Sequence, residues 1–314
     1  MSADLVDILN TKLSSFFPED SVFILAISGG VDSMVLLDVA SSIVRFKFIV
    51  VSVDHSIRPD SREDIQLVKS QAKHYGFAFF SKRLAVPSLA KQARKGLEEA
   101  ARDLRYQVLQ KYRKQFSAAA IITAHHQNDQ VETVLFHLVR GSDVHGLCGM
   151  EVLNKQGVFR PFLDVPKADL VHYAKEHLLL WHDDSTNVDL SLSRNFIRHM
   201  LVENFPIELL TEVSKKAQNL IDVCDDFIDQ WCREYIKDDT FSRQAFLLLP
   251  LYLQFYFLQY LTRNFFHLRD LSFSWLTSLY QWIIHSHSSS SYSHRGKILL
   301  HNDHNYFKIV GKLK

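Results

Sequence analysis

Residues 25–38 read LAISGGVDSMVLLD, and the fold is decided there. Ser21 to Ile27 is an apolar run with the look of a buried strand, Gly29 and Gly30 make a turn, and Val31 to Val44 has helical spacing. A strand–Gly-Gly–helix turn aims backbone N–H groups and the positive end of a helix at a phosphate. Ser28 and Ser33 can add hydroxyl donors. The lysine of the common nucleotide loop is missing, since no GxxxxGK(S/T) segment occurs in the chain. Asp32 stands there instead. A carboxylate beside a polyphosphate is repulsive unless a hard cation lies between them, and Mg²⁺ is typically held by one or two carboxylates together with phosphate oxygens. Asp32 therefore implies Mg²⁺. The plainer alternative is an Asp that complements the dipole of an ordinary helix.

Working outward, apolar runs alternate with helical patterns to about residue 200, the mark of βαβ units and a parallel sheet. Strands are expected at 21–27, 46–53, 77–82, 118–123 and 157–162. Helices are expected at about 31–44, 61–75, 96–115, 129–139 and from Pro166 to about Leu178. After about residue 205 the texture changes: 207–238 and 242–285 are helical in pattern, and the serine run at 288–291 has the composition of a flexible link. RGKILLHNDHNYFKIVG then suggests two short strands around an Asn-Asp-His-Asn turn. The expected fold is α/β, a Rossmann-like doubly wound parallel sheet over 1–205, followed by a second, mostly helical domain over 206–314 with a basic hairpin-like tail.

Composition narrows the function. The 314 residues are 47% hydrophobic and 23% charged, ordinary for a globular protein. No run of 18 apolar residues appears, and MSADLVDILNTKLSSFF lacks the apolar core of a signal peptide. The three cysteines, Cys148, Cys224 and Cys232, form no CxxC pair, which argues against a disulfide framework, a zinc ribbon or a redox motif. A cytoplasmic protein without a membrane span is expected. The net charge of +1 conceals an uneven spread: residues 241–314 carry eight Lys/Arg and two Asp/Glu, and residues 81–114 carry ten basic and three acidic side chains. Such concentration suits a polyanionic partner, although each stretch alone could be a solvated helix face.

In a doubly wound sheet, ligands collect at the carboxyl ends of the strands. The second strand ends in Val53-Asp54-His55, where a nucleobase or ribose could lie, or where Asp54 could cap a loop. The fourth ends in Thr123-Ala-His-His-Gln-Asn-Asp-Gln-Val-Glu-Thr133. His125 precedes a helix on which Asp129 and Glu132, three apart, share a face. These groups could orient a base, bind metal, move protons or simply cap the helix. Arginines at 140, 160, 194 and 198 fall in loops, where a guanidinium can grip phosphate or carboxylate.

Taken together, these segments resemble one family. SGGVDS is similar to the pyrophosphate-binding loop of the N-type ATP pyrophosphatases, the PP-loop superfamily. SGGVDS, VDHSIRPDS, EEAARDLRY, AHHQNDQVET, RGS with GLCGM, RPFL, WHDDSTN and RNFIR run in order from residue 28 to 198. In that order they resemble the bacterial tRNA(Ile)-lysidine synthases. The resemblance implies an ATP-dependent carbon–nitrogen ligase that joins free L-lysine to C2 of cytidine 34 in the CAU anticodon of tRNA(Ile). The cytidine would be adenylated first, and AMP would leave when lysine attacks. Ser28, Gly29, Gly30, Val31, Asp32 and Ser33, with Val53 and Asp54, would hold ATP, and Asp32 the Mg²⁺. Asp32, His125, Asp129 and Glu132 would line the reaction centre, and Arg102, Arg105, Arg194 and Arg198 would touch phosphate or tRNA. The family usually has two adjacent acids where this chain has Asn128-Asp129, so the role passes to Asp129. A tRNA 2-thiolation enzyme with the same loop and an inactive tRNA-binding module are the rivals. The lysine-binding residues, the exclusion of tRNA(Met) and a homodimer stay open.

Overall fold

The computed structural model describes residues 4–56, 61–84, 86, 96–139, 144–182, 207–266, 268, 273–286, 289–294 and 297–310. The chain divides into two compact units, Met1–Lys215 and Lys216–Lys314. In chain order the first unit contains α1 (Leu5–Phe16), β1 (Val22–Ala26), α2 (Val31–Ser41), β2 (Lys47–Asp54), α3 (Ser61–His74), β3 (Ala78–Arg83) and α4 (Leu97–Gln115). It continues with β4 (Ala120–Ile122), α5 (Gln127–Val139), α6 (Val144–Leu147), β5 (Val158–Phe159), α7 (Lys167–Glu176) and the start of α8 (Ile207–Tyr235).

The five strands form one sheet in the order β3-β2-β1-β4-β5, and every pairing is parallel. β1 lies at its centre, with Leu25 opposite Val50 on one side and Ile122 on the other. A strand paired on both edges and covered on both faces must be apolar throughout, which is why VFILA shows no polar alternation. Successive side chains serve opposite layers. Phe23 and Leu25 join the core beneath α1, α2 and α7, with Leu9, Leu36 and Leu170. Ile24 joins Val51, Leu109 and Ile121 beneath α4. α2 is buried almost all round, from Met34 to Ala40, so its first turn is held firmly at the carboxyl end of β1.

The second unit contains the rest of α8, then β6 (Thr240–Ser242), α9 (Arg243–Leu248), α10 (Leu251–Asn264), α11 (Phe273–His285), β7 (Ser290–His294), β8 (Lys297–Asp303) and β9 (Tyr306–Ile309). Its core is aromatic: Trp231 meets Phe257 at 4.8 Å, and Phe241 contacts both Phe257 and Phe307. Within 242–285 the helical pattern is realised as α9, α10 and α11, and Pro250 parts the first two because it disfavours helical backbone at Leu249, which is extended. One expectation is corrected. The serine run contributes Ser290 and Ser291 to β7, the polar edge strand of an antiparallel sheet ordered β6-β9-β8-β7. The expected hairpin is present as β8 and β9, and it turns at His304 and Asn305, both with positive φ (47° and 79°).

Candidate functional site at the carboxyl ends of the strands

The loop after β1 is tied to itself through Ser33. Its Oγ accepts from the backbone N–H of Ser28 and of Gly29, both at 3.2 Å, and donates to the Gly30 carbonyl at 2.9 Å. The Ser28 hydroxyl lies 3.2 Å from it. Gly29 has φ +97°, a conformation that only glycine adopts easily, and its carbonyl accepts from the His182 N–H at 3.1 Å. His182 in turn meets Asp64 of α3 at 2.7 Å. Gly30 caps α2 without a side chain, so the first N–H groups of the helix stay open to a ligand. Ser28, Gly29, Gly30, Val31 and Ser33 thus form one preorganised cradle.

Asp32 in the first turn of α2 and Asp129 in the first turn of α5 are brought together by a residue the sequence did not single out. His126, buried to 4% side-chain exposure, places Nε2 3.6 Å from Asp32 Oδ2 and Nδ1 3.5 Å from Asp129 Oδ2. The Asp129 carboxylate also accepts from the His126 backbone N–H at 3.0 Å. Burial pulls the imidazole of His126 down, but Asp32 and Asp129 outweigh it and raise its pKa above the ordinary 6.5. The adjacent pair His125-His126 was the available signal; only its first member was chosen.

His125 faces another way. Its Nδ1 lies 2.7 Å from the Thr123 hydroxyl. Burial, then Arg105, Arg160 and Arg102, hold its pKa well below 6.5, so it is neutral. Arg102 and Arg105 on α4 flank the ring of Tyr106, each guanidinium 5.3 Å from its centroid. Arg160, just after β5, is 4% exposed. Asp54, 6% exposed, closes its own loop by accepting from the Ser56 N–H at 2.7 Å, with Arg83 3.4 Å away. Val53 is half-buried beside it. Glu132 is half-buried on α5, three residues beyond Asp129. Asn128 serves a neighbouring helix, since its Oδ1 accepts from the Lys167 N–H at the start of α7, where the capping residue is Pro166. Arg194 and Arg198 lie outside the described residues.

A parallel sheet with a glycine–serine phosphate loop and an acidic first helical turn defines a nucleotide-binding α/β domain. The pattern of the PP-loop domain family matches residues 5–205, and the chain belongs to that family. Among curated relatives, the tRNA(Ile)-lysidine synthase of Thermosipho africanus is 37% identical over 190 residues, 60% of this chain and 44% of that protein. The tRNA(Ile)-lysidine synthase of Thermotoga maritima is 32% identical over 224 residues, 69% of this chain and 54% of that protein. The chain spans about half the length of the curated relatives it matches. Among solved structures, the U34-tRNA thiolase NcsA from Methanococcus maripaludis superposes with a TM-score of 0.57 at 16% identity, covering 69% of this chain and 78% of that one. That likeness concerns the fold alone.

Proposed function

We propose that the protein is an ATP-dependent ligase that joins free L-lysine to C2 of cytidine 34 in the CAU anticodon of tRNA(Ile), giving lysidine, AMP and pyrophosphate. The observation that carries it is the Ser33-tied loop standing beside two carboxylates clasped by His126, in a chain whose curated relatives bear that name. Residues 1–205 would be the catalytic domain and 206–314 a tRNA-binding domain, working in the cytoplasm. Among the described residues no helix is long and apolar enough to cross a membrane.

The open N–H groups at the start of α2 and the Ser28 hydroxyl grip the β and γ phosphates of ATP, and Ser33 holds the loop in shape for them. Asp32 and Asp129 fit Mg²⁺: their side chains are 29% and 24% exposed, they offer hard oxygens, and two carboxylates leave the remaining positions to phosphate and water. The ion, when bound, would neutralise charge on the departing pyrophosphate. His126 holds both carboxylates in place. Val53 and Asp54 border the place for the nucleoside. Attack by lysine needs its amine neutral, and we assign the proton to the neutral imidazole of His125 or the Glu132 carboxylate. An unpaired anticodon base suits a pocket of this kind, with Arg194, Arg198 and the basic tail as contacts to the tRNA backbone.

The thiolation alternative needs reactive thiols. Burial, helped by Asp229, pushes the Cys232 thiol up to about 12, and burial with Asp225 raises that of Cys224. Both stay protonated at neutral pH, which favours the ligase. Purified protein given ATP, Mg²⁺, labelled lysine and unmodified tRNA(Ile) should incorporate the label. Asp32→Ala should abolish pyrophosphate release while tRNA binding persists. Sulfur incorporation instead of lysine, or release surviving Asp32→Ala, would overturn the assignment.

A further inference from the structure

The peptide between Gly29 and Gly30 has a freedom that a phosphate loop must control. A peptide unit can flip by half a turn through ψ of one residue and φ of the next, and glycine at both positions removes the steric bias between the two states. In a trans peptide the C=O and N–H point opposite ways, and no cis peptide bond occurs among the described residues. A flip therefore exchanges a donor aimed at a phosphate for a carbonyl oxygen that repels it. This donor matters, because the Ser28 and Gly29 N–H groups are already committed to Ser33 Oγ. Gly30 is half-buried, and its N–H donates to no acceptor among the described residues.

The orientation is chosen from the opposite side. The Gly29 carbonyl accepts from the His182 N–H at 3.1 Å, which turns the Gly30 N–H the other way. His182 is itself held at two points. Its Nδ1 lies 2.7 Å from Asp64 Oδ1 on α3, and the preceding Trp181 packs on the core shared by α1, α2 and α7. Asp64 also backs the loop directly, since a Cβ on Gly29 would meet its Cβ at 3.2 Å.

We propose that Asp64 and His182 are positioning residues, a latch that keeps the Gly29–Gly30 peptide in its anion-binding orientation. They act through the Gly29 carbonyl and set the fraction of molecules whose loop can receive a phosphate. The latch rests on the assignment of this loop to the departing pyrophosphate. Apparent affinity falls in proportion to the competent fraction, so an unlatched loop that is competent in about one molecule in ten binds about tenfold more weakly. Saturating ligand selects the competent orientation, and the rate under saturation is preserved.

Calorimetric titration of the full chain with inorganic pyrophosphate and Mg²⁺ tests this. His182→Ala and Asp64→Ala should each weaken pyrophosphate by about tenfold, and His182→Asn, which returns a donor near the Nδ1 position, should recover most of the loss. In turnover the KM for ATP should rise by about tenfold while kcat stays within about twofold. A flip would carry φ of Gly30 from −76° to a positive value that alanine resists. In a Gly30→Ala background the His182→Ala penalty should therefore shrink to within about twofold. Labelling with ¹⁵N-glycine gives ten amide signals for the ten glycines, and His182→Ala should split or broaden that of Gly30. Asp64→Ala carries the test if His182→Ala does not fold. A parent that binds pyrophosphate yet incorporates no lysine keeps the latch and overturns the ligase. Parent-like affinity in both alanine variants would overturn the latch, as would an undiminished penalty in the Gly30→Ala background. A parent that binds no pyrophosphate would overturn the phosphate loop, and the latch with it.

Discussion

Single residues set the geometry of the phosphate loop, and its two glycines have different jobs. Gly29 has φ +97°, and a Cβ there would come within 3.2 Å of Asp64 Cβ. Gly30 has φ −76°, and a Cβ would meet only the Ser28 hydroxyl, at 3.8 Å. Gly29→Ala should therefore cost about 1–2 kcal/mol of stability through backbone strain, whereas Gly30→Ala should leave the thermal midpoint nearly unchanged. Paired thermal melts check this; equal losses at the two positions would contradict it. The two adjacent histidines should respond oppositely to pH. His125 has a folded pKa below its unfolded value, so its contribution is complete above about 6.5 and is lost as pH falls towards the folded pKa. His126 has a raised folded pKa, so its contribution is present below 6.5 and fades as pH rises through the folded value. Denaturation across this range should show His125→Gln less acid-sensitive than the parent and His126→Gln more so. Parallel curves for the two variants would disprove the opposed environments.

Between elements, a polar clasp fixes the far half of α2. Asp38 accepts from the Tyr75 hydroxyl at 2.6 Å, next to the end of α3, and from the Tyr173 hydroxyl of α7 at 2.8 Å. The Tyr173 ring stacks on His177 at 3.9 Å. Hydrogen bonds to a half-buried carboxylate contribute about 1.5–3 kcal/mol, so Tyr173→Phe should lower the urea midpoint by a matching amount while pyrophosphate binding at the loop persists. An unchanged midpoint would make the clasp incidental. None of it was legible in the sequence, because its members lie on three segments and each looks like an ordinary amphipathic residue. The same holds for Gln130, whose amide binds the Cys148 and Met150 carbonyls and the Met150 N–H. The central strands β1 and β4 were legible because a strand buried on both faces must be uniformly apolar, and the loop was legible because Gly29 and Asp32 have few other reasons to stand together. β6 and β7 were hidden because they are short or serine-rich and depend on pairing with β8 and β9. Arg160 is a different case: its loop position was visible, but its burial was not.

Across the whole molecule, positive charge is concentrated late in the chain. Residues 241–314 hold eight Lys/Arg and two Asp/Glu in a chain of net charge +1, so the preceding residues are net negative. That excess of acid lies in 206–240, with four Lys/Arg and nine Asp/Glu, whereas 1–205 carry 24 of each sign. A protein with the proposed tRNA substrate must hold a polyanion, and a basic tail supplies an attraction that a neutral catalytic segment does not. Lys308, exposed on β9, and Lys312, four residues further along the sequence, are the cations to test. Each phosphate contact removed should lower the slope of log K against log salt by about 0.7–0.9. The double change Lys308→Glu, Lys312→Glu should therefore weaken tRNA binding several-fold at low salt and flatten its salt dependence by up to about two contacts. Binding of pyrophosphate to the loop of the first unit should be unaffected. Filter binding across a salt series supplies the measurement, and a parent-like slope would move the electrostatic contact away from this tail and towards the basic segment at 81–114.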